Sequence, residues 1–472
     1  MDRSFQRLAT CSCPFLFGKT KEMLKIKILD SIECQVIDGE ELIFPVISYQ
    51  DESYRQVQWG GKRVSKRKSL LHHYKTKTCF PTGLLNRIQK YCSKNNIPLE
   101  IDDPEEILIP LLTNSEPFIQ GKNLKDGKWS YQYKLIQSAI LYQRGVIKAA
   151  TGSGKTSIML GFISCYPFSR VLFLCNTHVP ITQFKEALIN SGLKNSIDIF
   201  TIQSFYRKKP KEYIDKYDII IIDECHDGLR SSKSMYGKML RNCLAPIRLG
   251  FTATLPDNEA DRLNLEGLLG PVIGELTIQE GIERQVLSKP KIIIKKLPDN
   301  SSLKEYRKYH EAYCNCVVNN RALNRQIIID ALEDASECNG SVLILVTEIE
   351  HGQNIIDLAK NIYRKEFIFV HGSTDKEERE RIRKQMINGD VNVVIATAVF
   401  KKALDVPNLT SVILGFGGKS DTQTIQAIGR GTRNVDGAKD RVIIRDYFIP
   451  SNLHMIKHFS YRLCLYMDQQ WL

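Results

Sequence analysis

The chain has 472 residues, of which 43% are hydrophobic and 25% are charged, and its formal net charge at pH 7 is +13. A chain of this length is too long for one hydrophobic core, and its composition excludes a disordered or fibrous protein. No apolar run approaches the roughly 20 residues of a membrane-spanning helix, so we expect no membrane partner. The excess of positive charge instead indicates a polyanionic partner.

Neither the first 24 residues nor the cysteines indicate a function. Residues 1–24 contain a short apolar patch but no convincing signal-peptide core or cleavage site, so we expect a disordered tail. The thirteen cysteines form neither paired Cys-x-x-Cys motifs nor a Cys/His set at zinc spacing. We therefore expect reduced thiols in a reducing compartment and no structural metal.

Residues 25–112 are predicted to form a small α+β domain with a basic surface. Two strands (LKIKILD and ECQVID) come first. A basic hairpin over Trp59–Lys77 follows, with a turn or bulge at Gly60-Gly61, and then an amphipathic helix in TGLLNRIQKYCSKN. The stretch Arg55–Lys90 contains ten lysines and arginines and no acidic residue. A solvated face normally mixes both signs, so this stretch predicts nucleic-acid contact; a capping domain is the alternative. The candidate contacts are Lys62, Arg63, Lys66, Arg67 and Lys68.

Strand and helix patterns alternate through the rest of the chain. After an acidic linker (EIDDPEE), the alternation runs over residues 113–285 and recurs over residues 286–450. It predicts two parallel-sheet domains in tandem, with the carboxyl ends of their strands lining a cleft. The predicted fold class is therefore α/β. An amphipathic tail over residues 451–472 is expected to pack on the second of these domains or on a partner.

The stretch AATGSGKT, Ala149–Thr156, is the most informative part of the sequence. It joins a strand pattern to a helix pattern, and such a loop cradles phosphates with its backbone amides and the helix N-terminus. We expect Lys155 to reach the β- and γ-phosphates of ATP, and Thr156 to hold Mg²⁺. The usual motif begins with glycine, and here that position is Ala149. The rest of the predicted cradle is Thr151, Gly152, Ser153 and Gly154.

A second motif, DIIIIDECHD, supplies carboxylates at the end of a buried strand. Asp223 is expected to hold Mg²⁺ through water, and Glu224 to polarise the attacking water. Doubly wound sheets place their ligands at this edge, so the sequence predicts nucleotide hydrolysis here.

Four motifs in this order, AATGSGKT, DECH, FTATLP and QAIGRGTR, resemble those of superfamily 2 helicases. Within that superfamily, the resemblance is to phage recombination helicases and to the XPB-like and RecG-like DNA translocases, over roughly residues 25–450. It implies two RecA-like motor domains, ATP and Mg²⁺ as cofactors, and an N-terminal domain that binds duplex DNA. The compact plan resembles that of a phage or other viral protein. With no signal peptide or transmembrane segment in the sequence, we expect a cytoplasmic protein, in the host cytoplasm if it is viral.

The resemblance implies further roles in the first motor domain. Tyr131 and Gln132 lie where the superfamily recognises adenine, and a Gln amide offers matching donors and an acceptor. Thr252 and Thr254 are implied to couple hydrolysis to unwinding, and His226 to relay the state of the γ-phosphate to them.

Contacts to the nucleic-acid strand are implied for Thr177, Thr201 and Thr397, and Asp405 is implied to touch the ribose or the cleft. The superfamily usually has proline where Asn176 stands, and Glu-Gly where this chain has Lys402-Ala403, so these loops depart from its pattern.

QAIGRGTR supplies Gln426, Arg430 and Arg433, the last two on one face of a helix if the segment is helical. An arginine brought across the cleft can neutralise charge on the transferring phosphoryl group, so we expect these residues to be catalytic.

The leading prediction is an ATP-dependent DNA helicase or translocase that acts on duplex or branched DNA in recombination, repair or fork remodelling. An RNA helicase is the alternative, because DECH also occurs in RNA-directed members and a basic module does not separate A-form from B-form partners. A non-catalytic nucleic-acid-binding scaffold and a restriction-type translocase subunit are the remaining alternatives.

Overall fold

The computed structural model describes residues 23–472 except 58, 59, 75, 104–108, 122, 210, 211, 214, 229–233, 257, 338, 339, 398–405, 407, 408, 419–423, 425–427, 430, 431 and 433–440. For residues 51–57, 60–65, 178, 179 and 376 it describes the backbone alone. The chain divides into two compact units, one ending at Glu106 and the other beginning at Ile107. Each unit is described separately.

The N-terminal unit is built on a five-stranded sheet with the strand order β5-β6-β2-β1-β7. Alternate side chains of β1 are buried, as expected for a strand with one covered face. The predicted amphipathic helix is present and buries Ile88 and Cys92. The acidic linker is partly strand, because its first residues form β7 beside β1. The elements are β1 (Leu24–Ile28), β2 (Glu33–Asp38), α1 (Glu40–Ile43), β5 (His72–Tyr74), β6 (Lys77–Pro81), α2 (Leu85–Asn95) and β7 (Leu99–Asp102).

A separate two-stranded ribbon carries most of the basic stretch. It consists of β3 (Ser48–Val57) and β4 (Gly60–Ser69), which pair antiparallel in register from Ser48↔Ser69 to Val57↔Gly60. The predicted hairpin over residues 59–77 is therefore wrong in its boundaries. Five of its basic residues lie along one strand, β4, whose partner precedes it, whereas β5 and Lys77 of β6 belong to the five-stranded sheet.

The second unit begins with an α/β domain, here called the first α/β domain, whose sheet has the order β10-β9-β11-β12-β8-β13. Every adjacent pair in this sheet is parallel. Strand β11 is an unbroken run of isoleucine ending in aspartate, as expected for a strand covered on both faces. The strands are β8 (Arg144–Ala149), β9 (Arg170–Cys175), β10 (Ser196–Thr201), β11 (Ile219–Asp223), β12 (Ile247–Thr252) and β13 (Val272–Leu276).

Helices cover both faces of this sheet. Glycines allow the closest approaches: a Cβ at Gly161 of the helix after β8 would lie 2.5 Å from Ile136 Cδ1. The helices are α3 (Ser130–Tyr142), α4 (Lys155–Ser164), α5 (His178–Ser191), α6 (Ile202–Tyr206), α7 (Met235–Leu240), α8 (Glu259–Leu269) and α9 (Ile278–Glu283).

The second α/β domain repeats this plan with the strand order β14-β19-β18-β15-β17-β16, again with parallel pairs. Its strands are β14 (Lys289–Lys296), β15 (Ser341–Val346), β16 (Ile368–Val370), β17 (Val393–Thr397), β18 (Leu409–Leu414) and β19 (Arg441–Phe448). Its helices are α10 (Tyr309–Tyr313), α11 (Arg321–Glu337), α12 (Ile349–Leu358) and α13 (Lys376–Asn388), and α14 (Leu453–Asp468) completes the chain.

The amphipathic C-terminal segment forms α14 and packs on the second α/β domain. Its apolar face contributes Met455, Tyr466 and the following Trp471 to buried clusters shared with the sheet. Among the described residues, no helix is long and apolar enough to cross a bilayer.

Candidate active site

The phosphate-loop segment lies between β8 and α4, at the carboxyl edge of the first sheet. Gly152 (φ 85°) and Gly154 (φ 79°) adopt left-handed backbone, which lets the chain turn sharply into the N-terminus of α4. Ala149 is the last residue of β8 and fully buried, so the first position of the motif needs no glycine here. Thr151, Lys155 and Thr156 remain partly exposed. The loop therefore has the geometry of an anion-binding cradle.

Tyr131 and Gln132 press against this loop from the start of α3. The carboxamide of Gln132 donates from Nε2 to the carbonyl of Ser153 at 3.0 Å, and the hydroxyl of Tyr131 donates to the same carbonyl. A Cβ at Gly154 would lie 2.5 Å from Gln132 Nε2, so only glycine permits this contact. Burial raises the pKa of Tyr131 to about 12, which keeps its hydroxyl a donor at neutral pH. The buried Oε1 of Gln132 accepts no hydrogen bond from the described residues.

Lys155 lies between the loop and the acidic motif. Its Nζ is 3.4 Å from the carbonyl oxygen of Ala149 and 3.9 Å from Glu224 Oε1. Asp223 ends β11, and its Oδ1 accepts the backbone N–H of Glu224 at 3.0 Å. Glu224 has a left-handed backbone with φ 50°, which is uncommon outside glycine and aims its side chain back toward the loop. The predicted lysine and the two acids are thus brought together.

A hydrogen-bonded chain links the acidic motif to the next strand. His226 Nδ1 lies 2.8 Å from Thr252 Oγ1 and 3.4 Å from Glu224 Oε2. The hydroxyl of Thr252 donates to the carbonyl of Thr254 at 2.6 Å and accepts the Thr254 N–H at 3.2 Å. Because that hydroxyl proton is already used, His226 must donate from Nδ1. The Oγ1 of Thr254 is buried and makes no hydrogen bond to the described residues.

The second α/β domain reaches the phosphate-loop segment through Gly429. A Cβ at this glycine would lie 2.9 Å from Thr151 Cβ, so the two backbones meet almost directly. Nearby, the carbonyl of Thr432 accepts the N–H of Ser288 at 2.6 Å. Ile428 and Thr432 are fully buried. The predicted residues Gln426, Arg430 and Arg433, as well as Asp405, lie outside the described residues.

Three threonines predicted to contact nucleic acid lie at carboxyl ends of strands. Thr177 precedes α5 and Thr397 ends β17; the Oγ1 of each is buried and makes no hydrogen bond to described residues. Thr201 ends β10, and its hydroxyl caps α6 by accepting the Ser204 N–H at 3.2 Å. Its hydroxyl therefore has a structural partner that the motif did not predict.

In the N-terminal unit, the side chains of Lys66, Arg67 and Lys68 are exposed on β4. Arg67 Nε donates to the hydroxyl of Ser48 at 2.8 Å, and its guanidinium lies 5.6 Å from the ring centroid of Phe44. Lys62 and Arg63 lie further along the same strand, where only the backbone is described.

Two family profiles match within the second unit. The helicase conserved C-terminal domain family matches residues 323–435, which include β15 to β18 and Gly429. The family of the type III restriction enzyme res subunit matches residues 182–257, which include the acidic motif and Thr252. The chain carries helicase domains of superfamily 2. As a helicase of this superfamily it hydrolyses ATP, and its two sheets are tandem RecA-like domains.

Three known proteins illustrate the similarity. The ATP-dependent DNA helicase uvsW of Enterobacteria phage T4 is 25% identical to this helicase over 75% of this chain and 76% of its own. The DNA 3'-5' translocase XPB2 of Sulfurisphaera tokodaii is 26% identical over 74% and 86%. A solved ATP-dependent type ISP restriction-modification enzyme, LlaBIII bound to DNA, has 15% identity and a TM-score of 0.56 over 81% of this chain and 32% of its own, which shows the shared fold.

The structure of the helicase adds residues that the motifs missed. Asn176 donates from Nδ2 to the carbonyl of Asp227 at 2.7 Å, a bond that the proline usual at this position could not make. Arg284 donates to the hydroxyl of Ser130 at 3.3 Å, and its guanidinium lies 6.0 Å from the ring centroid of Tyr131. The sequence marks Asn176 only as a departure from the usual proline and gives no signal for Arg284, because each contact joins segments distant in the chain.

Proposed function

We propose that this helicase is an ATP-dependent DNA helicase or translocase that acts on duplex or branched DNA in recombination, repair or fork remodelling. The observation that carries the proposal is the meeting of Thr151, in the phosphate loop of one α/β domain, with Gly429 of the other, which directly precedes Arg430 in the chain. The two relatives, one a DNA helicase and the other a DNA translocase, support DNA as the substrate.

The residues at the loop suit a nucleotide with a magnesium ion. Thr156 and Asp223 offer a hydroxyl and a carboxylate, the oxygen ligands that Mg²⁺ prefers. Lys155 already points into the space between the loop and Glu224, where phosphate would replace the Ala149 carbonyl as its partner. Bound there, Mg²⁺ would neutralise charge on the phosphate oxygens.

In the proposed reaction, Glu224 orients the attacking water and accepts its proton. Its Oε2 is buried and makes no hydrogen bond to described residues, so a lone pair is available. Lys155 holds the phosphates in line, and Gln132, already bonded to the Ser153 carbonyl, recognises the adenine edge with its buried Oε1. Oriented groups of this kind supply catalysis mainly by positioning and electrostatics.

The arginines of QAIGRGTR complete the site in this proposal. Arg430 follows Gly429 directly in the chain, and Arg433 follows Thr432. An arginine supplied across a cleft typically contributes about 10³–10⁵ in rate in related nucleotide hydrolases. ATP would stabilise the closed cleft, and loss of the γ-phosphate would release it, so that hydrolysis drives a change in domain spacing.

The residues proposed to contact the nucleic-acid strand and those proposed for hydrolysis lie at different parts of the same edge of the β-sheet. In the order β10-β9-β11-β12-β8, the phosphate loop follows β8, whereas Thr177 follows β9 and Thr201 ends β10. Between them, His226 lies just beyond the end of β11, and Thr252 ends β12. We infer that this pair transmits the nucleotide state to the strand-binding side. Thr397 would grip the strand from the second α/β domain, and the basic residues of β4 would hold duplex DNA.

ATP hydrolysis with DNA and RNA activators tests the proposal. We expect single- and double-stranded DNA to stimulate hydrolysis, and forks, Holliday junctions or flaps to be unwound or remodelled when ATP is present. Lys155→Ala is the control that should abolish both activities. Stimulation by RNA alone would establish an RNA helicase instead. Equal, background hydrolysis by wild type and Lys155→Ala would establish a non-catalytic scaffold.

A further inference from the structure

Asn176, in the loop after β9, supports the turn that follows β11. Its Nδ2 donates to the carbonyl of Asp227 at 2.7 Å. The N–H of Asp227 donates to the carbonyl of Glu224 at 3.0 Å and closes the turn that carries this acid. Because β9 and β11 are neighbouring parallel strands, both loops leave the sheet at its carboxyl edge. The acidic motif is therefore held by a side chain from the strand beside it.

Gly228, the next residue after this turn, lies between Asn176 and a buried ring. Its backbone is left-handed, with φ 104°. An added Cβ would lie 2.9 Å from Tyr236 Cδ2 and 3.7 Å from Asn176 Oδ1, so a side chain at this position would collide with the ring. Tyr236 is 1% exposed and lies in α7, where the hydroxyl of Ser234 accepts the N–H of Gly237. The end of the turn is thus fixed on one side by the ring and on the other by the amide.

Asn176 directly precedes Thr177, a predicted strand contact. The Oγ1 of Thr177 is buried and makes no hydrogen bond to described residues, and the carbonyl of Thr177 accepts the thiol of Cys175 at 3.0 Å. A nucleic-acid strand therefore reaches this oxygen only if the loop shifts. Such a shift moves the adjoining Asn176, and with it the bond to Asp227.

We propose that Asn176 is a positioning residue that couples strand binding to ATP hydrolysis. When a strand binds at Thr177, the loop after β9 shifts, and the Asn176 amide passes this displacement to the Asp227 carbonyl and so to the turn that holds Glu224. The inference rests on the proposed function, in which Thr177 contacts the strand and Glu224 orients the attacking water. The proline usual at this position in the superfamily has no such donor, so the link is a feature of this chain's own sequence.

The link is separate from the bond between His226 and Thr252. That bond joins the end of β11 to β12, whereas the Asn176 amide joins it to β9, the neighbour of β11 on its other side. The proposed strand contact Thr177 follows β9. The amide therefore gives the shorter route between the strand and the acidic motif.

A coupling role predicts a specific kinetic pattern. The informative quantity is the ratio of kcat with saturating DNA to kcat without DNA. A defect in the active site itself lowers both rates and leaves their ratio unchanged. Loss of the link between the strand-contacting loop and the turn of Glu224 lowers the ratio, because bound DNA then acts less on the position of the base.

The test compares Asn176→Ala with Asn195→Ala in the full chain. Asn195 is a matched control in the same domain, because its Nδ2 donates to the carbonyl of Tyr166 at 2.8 Å. It directly precedes β10, at the amino edge of the sheet and away from the phosphate loop. We expect Asn176→Ala to lower the ratio roughly 5- to 30-fold, the size of a coupling change that one substitution typically produces. Asn195→Ala should keep the wild-type ratio, whatever its melting temperature.

Asn176→Leu provides a second variant in case Asn176→Ala does not fold. Leucine has a branched side chain of similar size and lacks the donor to Asp227. A lowered ratio in either Asn176 variant, with the wild-type ratio in Asn195→Ala, supports the proposal. A wild-type ratio in the folded Asn176 variants, or an equal fall in Asn195→Ala, would overturn it and leave the proposed function standing. A wild-type protein that hydrolyses no ATP, or that DNA does not stimulate, would overturn both.

Discussion

The imidazole of His226 and the hydroxyl of Thr252 form a 2.8 Å hydrogen bond between the ends of neighbouring strands β11 and β12. One end of this link faces Glu224, and the other fixes the Thr252–Thr254 turn. In the proposed mechanism, this hydrogen bond carries information between the nucleotide and the edge of the sheet that contacts nucleic acid.

Thr252→Val should separate hydrolysis from unwinding. The substitution keeps the shape of the side chain but removes the acceptor of His226 and the donor to Thr254. We expect DNA-stimulated ATP hydrolysis to persist, while strand separation falls roughly tenfold or more, a usual size for a lost coupling between sites. Thr252→Ser, which keeps the hydroxyl, is the matched control for fork unwinding. Equal loss of both activities in Thr252→Val would instead mean that the bond supports the active site itself.

Glu224→Gln should bind ATP without hydrolysing it. Glutamine preserves size and can still lie near Lys155, but it cannot accept a proton from the attacking water. A general base contributes about 10²–10⁴ in rate, so kcat should fall by that factor. A fluorescent ATP analogue should bind within a few-fold of its wild-type Kd, whereas Lys155→Ala should lose binding. If Glu224→Gln hydrolysed ATP near the wild-type rate, Glu224 would not act as the base.

Gly429→Ala should slow ATP hydrolysis, because the added methyl group pushes the two α/β domains apart. The new methyl group would meet Thr151 Cβ at 2.9 Å, closer than side-chain carbons approach in folded proteins, so one of the two backbones must move. A displacement of about 1 Å can cost on the order of 10²-fold in kcat. ATP-analogue affinity measured in parallel should change little, because the loop itself is intact. An unchanged kcat would show that the contact is not kept during turnover.

Lys66→Gln combined with Lys68→Gln should weaken DNA binding uniformly across sequences. Each lysine that contacts a phosphate adds about one unit to the slope of log K against log salt, so the double variant should lower that slope by about 2. Lys25→Gln with Lys27→Gln is a matched control in the same unit, because these lysines pair with Glu100 and Asp102. The idea fails if both double variants show the wild-type slope in fluorescence anisotropy.

Acid should destabilise the protein partly through His351. This histidine is fully buried beside Asn324, with Nε2 2.8 Å from Asn324 Oδ1, and burial lowers its pKa to about 4. The unfolded chain takes up the proton near pH 6.5, so the stability contribution of the neutral ring is complete above that pH. It is lost progressively as the pH falls from 6.5 toward 4.

The difference in proton uptake between the folded and unfolded states lowers the free energy of unfolding at pH 5 by about 2 kcal/mol relative to pH 8. His351→Gln, which retains a donor for Asn324 and cannot titrate, should not show this loss. Urea unfolding of both proteins at the two pH values measures the difference. If both proteins showed the same pH dependence of unfolding, the loss of stability in acid would come from groups other than His351.

The sequence predicted the motor domains closely because their signals are local. Unbroken apolar runs such as that of β11, and loops of fixed composition such as Ala149–Thr156, specify both a strand and its chemistry. The polar or flanking strands β10 and β13, and the lysine-rich β14, have weaker patterns and could not be placed from the sequence. In the N-terminal unit the basic stretch was assigned to a hairpin, because composition alone does not reveal which segment is the partner of a strand.

Contacts between distant segments were beyond prediction. The bond from Asn176 to Asp227 and the meeting of Gly429 with Thr151 depend on how neighbouring strands are ordered in the sheet and on how the two domains face each other. The hydroxyl of Thr201 illustrates the opposite case, since a residue chosen for nucleic-acid contact also has a local role as a helix cap. Thus motifs indicate which residues matter, and tertiary geometry decides what each one touches.

The left-handed backbone of Glu224 costs folding stability at the residue that the proposed reaction uses as its base. A non-glycine residue in that conformation costs on the order of 1 kcal/mol, and glycine would relieve it while deleting the carboxylate. Screens that select only for thermal robustness would therefore favour Gly at 224 and recover inert proteins. Heat tolerance and turnover should be scored together in any engineering of this chain.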